Sequence, residues 1–144
     1  MSTYPGKGKV AVLKTSPETV LDDLRTVKGE VKPVVAHLLD NALSPALLKE
    51  FVRRPPGLPW YGFARVSDLF LDQAFCLALK RSGCVMLKLG IESGDQGVLD
   101  ALGKGVRIES ASAALTNLKK AGIATYVYLL FGTPPETLEG AQRT

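Results

Sequence analysis

The chain has 144 residues, which suits one domain or a piece of one. Hydrophobic residues make up 46% and charged residues 22%, which excludes a disordered chain, and the net charge of +4 is spread over scattered pairs (Lys7/Lys9, Arg53/Arg54, Lys80/Arg81, Lys119/Lys120) that read as solvated helix faces. No basic stripe with interleaved aromatics points to nucleic acid, no apolar run reaches the ~20 residues of a membrane span, and no secretory signal pattern opens the chain, so the expected location is cytoplasmic.

Residues 1–8, with Gly6-Lys7-Gly8-Lys9 too short for a phosphate loop, read as a flexible leader, and 9–144 as the folded unit. Ser16-Pro17-Glu18 opens a first helix: Ser caps it, Pro fits the first helical position, and Glu suits the positive end. Val20, Leu24 and Val27 recur at helical spacing and Gly29 reads as the stop. The short apolar run 34–39, ending at Asp40-Asn41, predicts a strand. Ser44-Pro45 repeats the helix start, with Leu47, Leu48, Phe51 and Val52 on its apolar face and Pro55-Pro56-Gly57 as its end. A second strand is expected over 60–66 and a helix over 71–82, burying Leu71, Phe75, Ala78 and Leu79, with Gly83 as its stop. A third strand follows at 85–91. A short helix carries Val98, Leu99 and Leu102, and a longer one at 109–121 carries Ala111, Ala114, Leu115 and Leu118. A fourth strand is expected over 125–131 and a last helix from Glu136.

Alternating helices and strands imply an α/β fold of parallel strands with right-handed crossovers. Unit lengths sit near the roughly 31 residues of one unit in an eight-fold barrel. Four such strands cannot close a barrel, so the expectation is an open sheet or part of something larger.

In parallel α/β folds, sites gather at the carboxyl ends of strands. Those ends carry Asp40-Asn41, Arg65, Glu92-Ser93 and Gly132-Thr133-Pro134-Pro135-Glu136. Along the third strand, Val85, Leu87, Leu89 and Ile91 share one apolar face that should pack on helices, while Met86, Lys88, Gly90 and Glu92 share the other. A Lys, a Gly and a Glu on one inner face suggest either a Lys88–Glu92 ion pair or a polar cavity in which Gly90 lets a ligand approach the backbone. Arg65 shares a face with Tyr61 and Phe63 and forms either a rim salt bridge or an anion contact. Asp40 caps a turn or faces a substrate cavity with Lys88. His37 falls on the opposite face from Asp40 and reads as a core or interface histidine. One histidine provides neither a serine–histidine–acid arrangement nor a two-histidine metal site, and Cys76 and Cys84 match no zinc or redox spacing and read as buried free thiols.

Several motifs together carry a resemblance. They are Arg81-Ser82-Gly83-Cys84, Leu89-Gly90-Ile91-Glu92-Ser93-Gly94, the run from Val98 to Gly105, Ala121-Gly122-Ile123, and Leu130-Phe131-Gly132-Thr133-Pro134-Pro135-Glu136-Thr137. Upstream, Ser16-Pro17-Glu18, Leu39-Asp40-Asn41 and Phe63-Ala64-Arg65-Val66 add to it. The chain from about residue 9 onward resembles the radical S-adenosylmethionine (SAM) superfamily, in the branch that often carries a cobalamin-binding domain. The resemblance implies a partial (βα)6 barrel, SAM as a cofactor, a four-iron, four-sulfur cluster held by a CxxxCxxC motif, and in some members cobalamin. It places Glu92, Ser93, Gly90, Arg65, Tyr128, Leu130 and Gly132 near SAM, and Asp40 and Lys88 in the substrate cavity.

The sequence departs from the family pattern in having no CxxxCxxC, and Tyr128 stands where the adenine-strand pattern often begins with Gly. Thiolates hold such clusters, so the chain alone is expected to be inactive. The first and sixth strands of the barrel are expected to lie outside it. Two other readings stay open. One is a non-catalytic half-barrel that self-associates or clasps a partner through exposed sheet edges. The other is an aldolase-like piece with Lys88 as its Schiff-base amine.

Overall fold

The computed structural model describes residues 15–144, so the leader expected over residues 1–8 lies outside the described residues. Helix α1 spans Pro17–Val31. The Ser16 hydroxyl accepts the Thr19 N–H at 3.2 Å, and Pro17 sits in the first turn, as the Ser-Pro-Glu start requires. The helix runs past Gly29, which weakens a helix without ending it. It stops where Lys32 turns left-handed (φ 49°) just before Pro33, a position that disfavours helical backbone.

Strand β1 is only Ala36–Leu38, shorter than the apolar run around it. Val34 and Leu39 are 89% and 83% exposed. Helix α2, Pro45–Arg53, is capped by the Ser44 hydroxyl at 3.1 Å from Leu47 N–H and buries Leu47, Leu48 and Phe51. The Arg53/Arg54 pair is not merely solvated, since both guanidinium groups bind the Glu50 carboxylate. Strand β2 covers Trp60–Ala64.

The helix expected over 71–82 is two elements. A 3-10 turn covers Asp68–Leu71, and helix α3 covers Gln73–Arg81 after the Asp72 cap. Leu71 is therefore exposed, and Phe70 and Cys76 take the buried places. Gly83, at φ 103°, turns the chain into strand β3, Cys84–Glu92. Helix α4 is Gln96–Ala101, α5 is Ile108–Lys120, strand β4 is Ala124–Leu129, and α6 is Leu138–Arg143 behind a Thr137 cap.

The sheet has four parallel strands in the order β1-β2-β3-β4, flanked by helices, which is the α/β architecture expected from the alternating pattern. The core lies between the sheet and the helices. It includes Leu21, Phe51, Trp60, Phe70, Leu79, Leu87, Leu89 and Leu118, all fully or almost fully buried. Trp60 anchors it. Its ring meets Phe51 edge-on at 4.9 Å, and its indole N–H donates to the Ser82 carbonyl at 3.2 Å. Val85 departs from the expected apolar face. A register shift opposite Trp60 and Tyr61 exposes Val85 (36%) and turns Cys84 toward the core in its place. Among the described residues, no helix is long and apolar enough to cross a membrane.

Candidate functional site

The face of the sheet turned away from the core carries the chemistry. Strand alternation puts His37 of β1, Tyr61 and Phe63 of β2, Met86, Lys88 and Gly90 of β3, and Tyr126 and Tyr128 of β4 on it. His37 is thus exposed on the open face, so of the core and interface alternatives the core one does not hold.

At the carboxyl ends of the strands this face opens into a cleft of about 370 Å³ whose lining includes Asn41, Phe63, Arg65, Gly90 and Lys104. Glu92 stands beside it, bound to the lining residue Lys104. A register shift lets Glu92 pair with Leu129, its carbonyl accepts the Leu130 N–H at 2.8 Å, and its backbone is left-handed (φ 76°). A non-glycine residue in that region costs about 1 kcal/mol or more, a strain that folds tend to keep at sites of function.

The Glu92 carboxylate meets Lys104 at 2.8 Å, so the Lys88–Glu92 ion pair considered from the sequence does not form. Gly103 and Gly105, both with positive φ (63° and 64°), bracket Lys104 and make the tight loop that delivers it. That Gly-Lys-Gly pattern was the sequence signal for Lys104. Gly90 serves a different need. A Cβ there would stand 2.7 Å from Glu92 Oε1 and 3.2 Å from Phe63 Cζ, so only glycine lets both side chains lean over β3.

Arg65 lines the cleft and, among the described residues, meets no carboxylate. It also borders a second, mostly apolar hollow of about 390 Å³ beside Leu43 and Leu48. Asp40 is exposed; its neighbour Asn41 lines the cleft instead. Ser93 is fully buried, its hydroxyl engaged by Thr144 Oγ1 at 2.9 Å and by the Asp95 N–H at 3.0 Å. Tyr128 and Leu130 are 40% and 48% exposed on the β4 side.

Gly132 (φ 74°) donates its N–H to Glu136 Oε2 at 2.5 Å. The other Glu136 oxygen, Oε1, and the Thr133 hydroxyl are buried without a hydrogen-bond partner, two polar atoms left open in the loop after β4. Lys88 lies farther down the face, its Nζ 3.4 Å from His37 Nε2 and 5.3 Å from the Tyr61 ring centre.

The cysteines do not fit an iron–sulfur cluster. Both are buried on the core side, and burial raises both thiols, Cys84 to about 12. Among the described residues, no group of three or more metal-ligating side chains comes together. The cleft does fit a small polar cofactor such as SAM. It offers a guanidinium that meets no carboxylate among the described residues, Lys104 with the Glu92 carboxylate behind it, and a glycine cradle that any side chain would fill.

No protein-family model matches the chain. In sequence it is similar to the anaerobic magnesium-protoporphyrin IX monomethyl ester cyclase of Rubrivivax gelatinosus (30% identity over 96 residues, 67% of this chain and 17% of that protein). It is also similar to the bacteriochlorophyllide d C-12(1)-methyltransferase of Chlorobaculum tepidum (29% over 133 residues, 88% of this chain and 29% of that protein). In structure it matches the cobalamin-dependent S-adenosylmethionine radical enzyme OxsB with a TM-score of 0.70 at 17% identity, over 89% of this chain and 21% of that one. The α/β fold of this chain is therefore shared with part of OxsB. The chain spans less than a third of the length of each of these proteins.

Proposed function

We propose that this chain is part of a radical SAM enzyme of the cobalamin-associated branch and forms walls of its SAM site and substrate cavity. The observation that carries the reading is the cleft at the strand ends. Arg65, the Glu92–Lys104 pair and the Gly90 cradle converge there, in a sheet with the architecture of OxsB. In this reading Arg65 holds the SAM carboxylate, and Glu92, steadied by Lys104, accepts from the amino or ribose groups. Tyr128 of β4, Leu130 just after it, and the Gly132 loop with its unpartnered Thr133 and Glu136 oxygens border the adenine.

When bound in a complete enzyme, SAM is the source of the carbon radical that the family uses. The residues of this chain bind and orient it. The cluster's thiolate ligands belong, in this reading, to sequence outside these 144 residues, and so does any cobalamin site. Asp40 borders the substrate side, and the location is cytoplasmic. The relatives named for a protoporphyrin ester and a bacteriochlorophyllide make tetrapyrroles the substrates to try first.

Equilibrium dialysis with labelled SAM tests the reading on the chain itself. Saturable binding that Arg65→Ala and Glu92→Gln each weaken by about tenfold supports it, that factor corresponding to ~1.4 kcal/mol. Saturable binding unaffected by both substitutions, or none at all, overturns it.

A second reading, a half-barrel interaction module, is favoured by one feature. Strand β4 is a sheet edge, and Tyr126 and Leu129 on it and Leu130 and Phe131 just after it are exposed (54%, 41%, 48% and 61%). Sedimentation velocity over a dilution series separates the two. Concentration-dependent association abolished by Leu130→Lys with Phe131→Lys favours the module.

A further inference from the structure

Behind the cleft, the open face of the sheet carries a second arrangement, centred on Lys88, that shares Phe63 and Tyr128 with the cofactor reading but not Lys88, His37, Tyr61 or Tyr126. His37 and Tyr61 are direct cross-strand partners, and their rings stack at 4.3 Å with only 7° between planes. Phe63, Lys88 and Tyr126 form the next row across β2, β3 and β4, and Tyr126 and Tyr128 lie 5.0 Å apart along β4. The face is therefore floored by aromatic rings on three strands, with Lys88 rising between them.

Lys88 reaches back over Tyr61, with its Nζ 5.3 Å from the ring centre and 3.4 Å from His37 Nε2. An ammonium has only donors, so in this contact Lys88 is the donor and His37 Nε2 the acceptor. One of its three N–H groups is used in that contact. Among the described residues Lys88 meets no carboxylate, and the acidic side chain of its own strand, Glu92, is engaged by Lys104. A half-buried cation on an aromatic floor thus lacks an anion.

We propose that this floor binds a planar conjugated ring system that bears a carboxylate, with the ring over Tyr61, Phe63 and Tyr126 and the carboxylate on Lys88. The aromatic rings supply stacking area, and Lys88 supplies the charge that a neutral polycycle would leave unmatched. The inference rests on the reading of this face as a substrate-cavity wall and names the class of substrate that wall would take. It involves no bond-making step.

The test is a fluorescence titration of the chain with protoporphyrin IX and, in parallel, with its dimethyl ester. The free acid is expected to bind saturably. Esterification and Lys88→Met are each expected to weaken binding by about tenfold, as loss of one charge-assisted hydrogen bond does. Combined, the two changes should weaken it no further, because they remove the same contact. Additive losses, equal affinity for acid and ester, or no saturable binding would overturn the proposal. Circular dichroism of Lys88→Met confirms that the variant is folded, and Lys88→Arg, which keeps the charge, should restore most of the affinity. SAM dialysis on the same samples keeps the two readings distinct. Intact SAM binding with no porphyrin coupling overturns this inference alone, and loss of both overturns the cavity-wall reading beneath it.

Discussion

Gly90→Ala tests the cleft with little risk to the fold. Gly90 does not have positive φ, so alanine is compatible with its backbone. The new Cβ would stand 2.7 Å from Glu92 Oε1 and 3.2 Å from Phe63 Cζ, both far ends of side chains and not backbone. The carboxylate must move by several tenths of an ångström, which disrupts its 2.8 Å contact with Lys104. That pair is partly exposed to solvent, so its loss costs about 0.2–1 kcal/mol. Replacing glycine by alanine offsets this by about 0.4–1 kcal/mol through the unfolded chain. The net effect is near zero, and the melting temperature should move by no more than about 3 °C. SAM affinity should nevertheless fall by about tenfold or more, because the methyl group fills the cradle and displaces Glu92. Calorimetric melting and equilibrium dialysis on the same preparation read both quantities. A large loss of stability would show that Gly90 is needed for packing. Unchanged affinity in a folded variant would refute the assignment of this cleft to SAM.

Gly83→Ala should behave in the opposite way. At φ 103°, with a Cβ only 2.5 Å from the Leu58 carbonyl oxygen, it meets backbone that cannot move aside, and urea titration should show a loss of about 2 kcal/mol or more. Glu50→Gln should flatten the acid limb of stability. Hydrogen bonds from Arg53, then Arg54, lower the Glu50 carboxyl from 4.5 to about 2, so the stabilisation is complete above about pH 4.5 and is lost as pH falls towards 2. Acid titrations followed by circular dichroism should show the variant less sensitive in that window, and identical curves would refute the reading. Cys76 and Cys84 should resist a thiol reagent in the native chain and both react in guanidinium, since burial raises both thiols. Fast native labelling of either would mean that the core opens there.

Most of the architecture was legible because its signals are local. Ser16-Pro17 and Ser44-Pro45 mark helix starts by their own capping chemistry, and Gly83 and Gly122 mark turns that need positive φ. The errors arose where pairing between strands decides. Strict alternation puts Val85 on the core face, but the register shift against Trp60 and Tyr61 resets the alternation and places Cys84 there instead. Parity places His37 along a run longer than the true strand, and only its pairing with Tyr61 shows the face it shares. The same limit holds at the cleft. Arg65, Gly90 and Glu92 were visible as strand-end residues, but Lys104 comes from a loop between helices, and only the folded chain brings its amine to Glu92.

The two faces of the sheet differ in a way that bears on every test above. Parallel sheets are ordinarily covered on both faces. Here the helix-side face is complete: Trp60, Ala64, Leu87 and Leu89 are fully buried, and the large fully buried side chains other than Leu99 of α4 belong to that side's core. The other face keeps Tyr126 and Tyr128 at 54% and 40% exposure and gathers Arg65, Lys88, Glu92 and Lys104 around aromatic rings. Folding stability is thus concentrated on one side and unmatched charge on the other. Substitutions on the open face remove little buried apolar area, so they should report on what binds there more than on whether the chain folds. That separation makes Lys88 and Gly90 sharper probes of function than any residue of the Trp60 core.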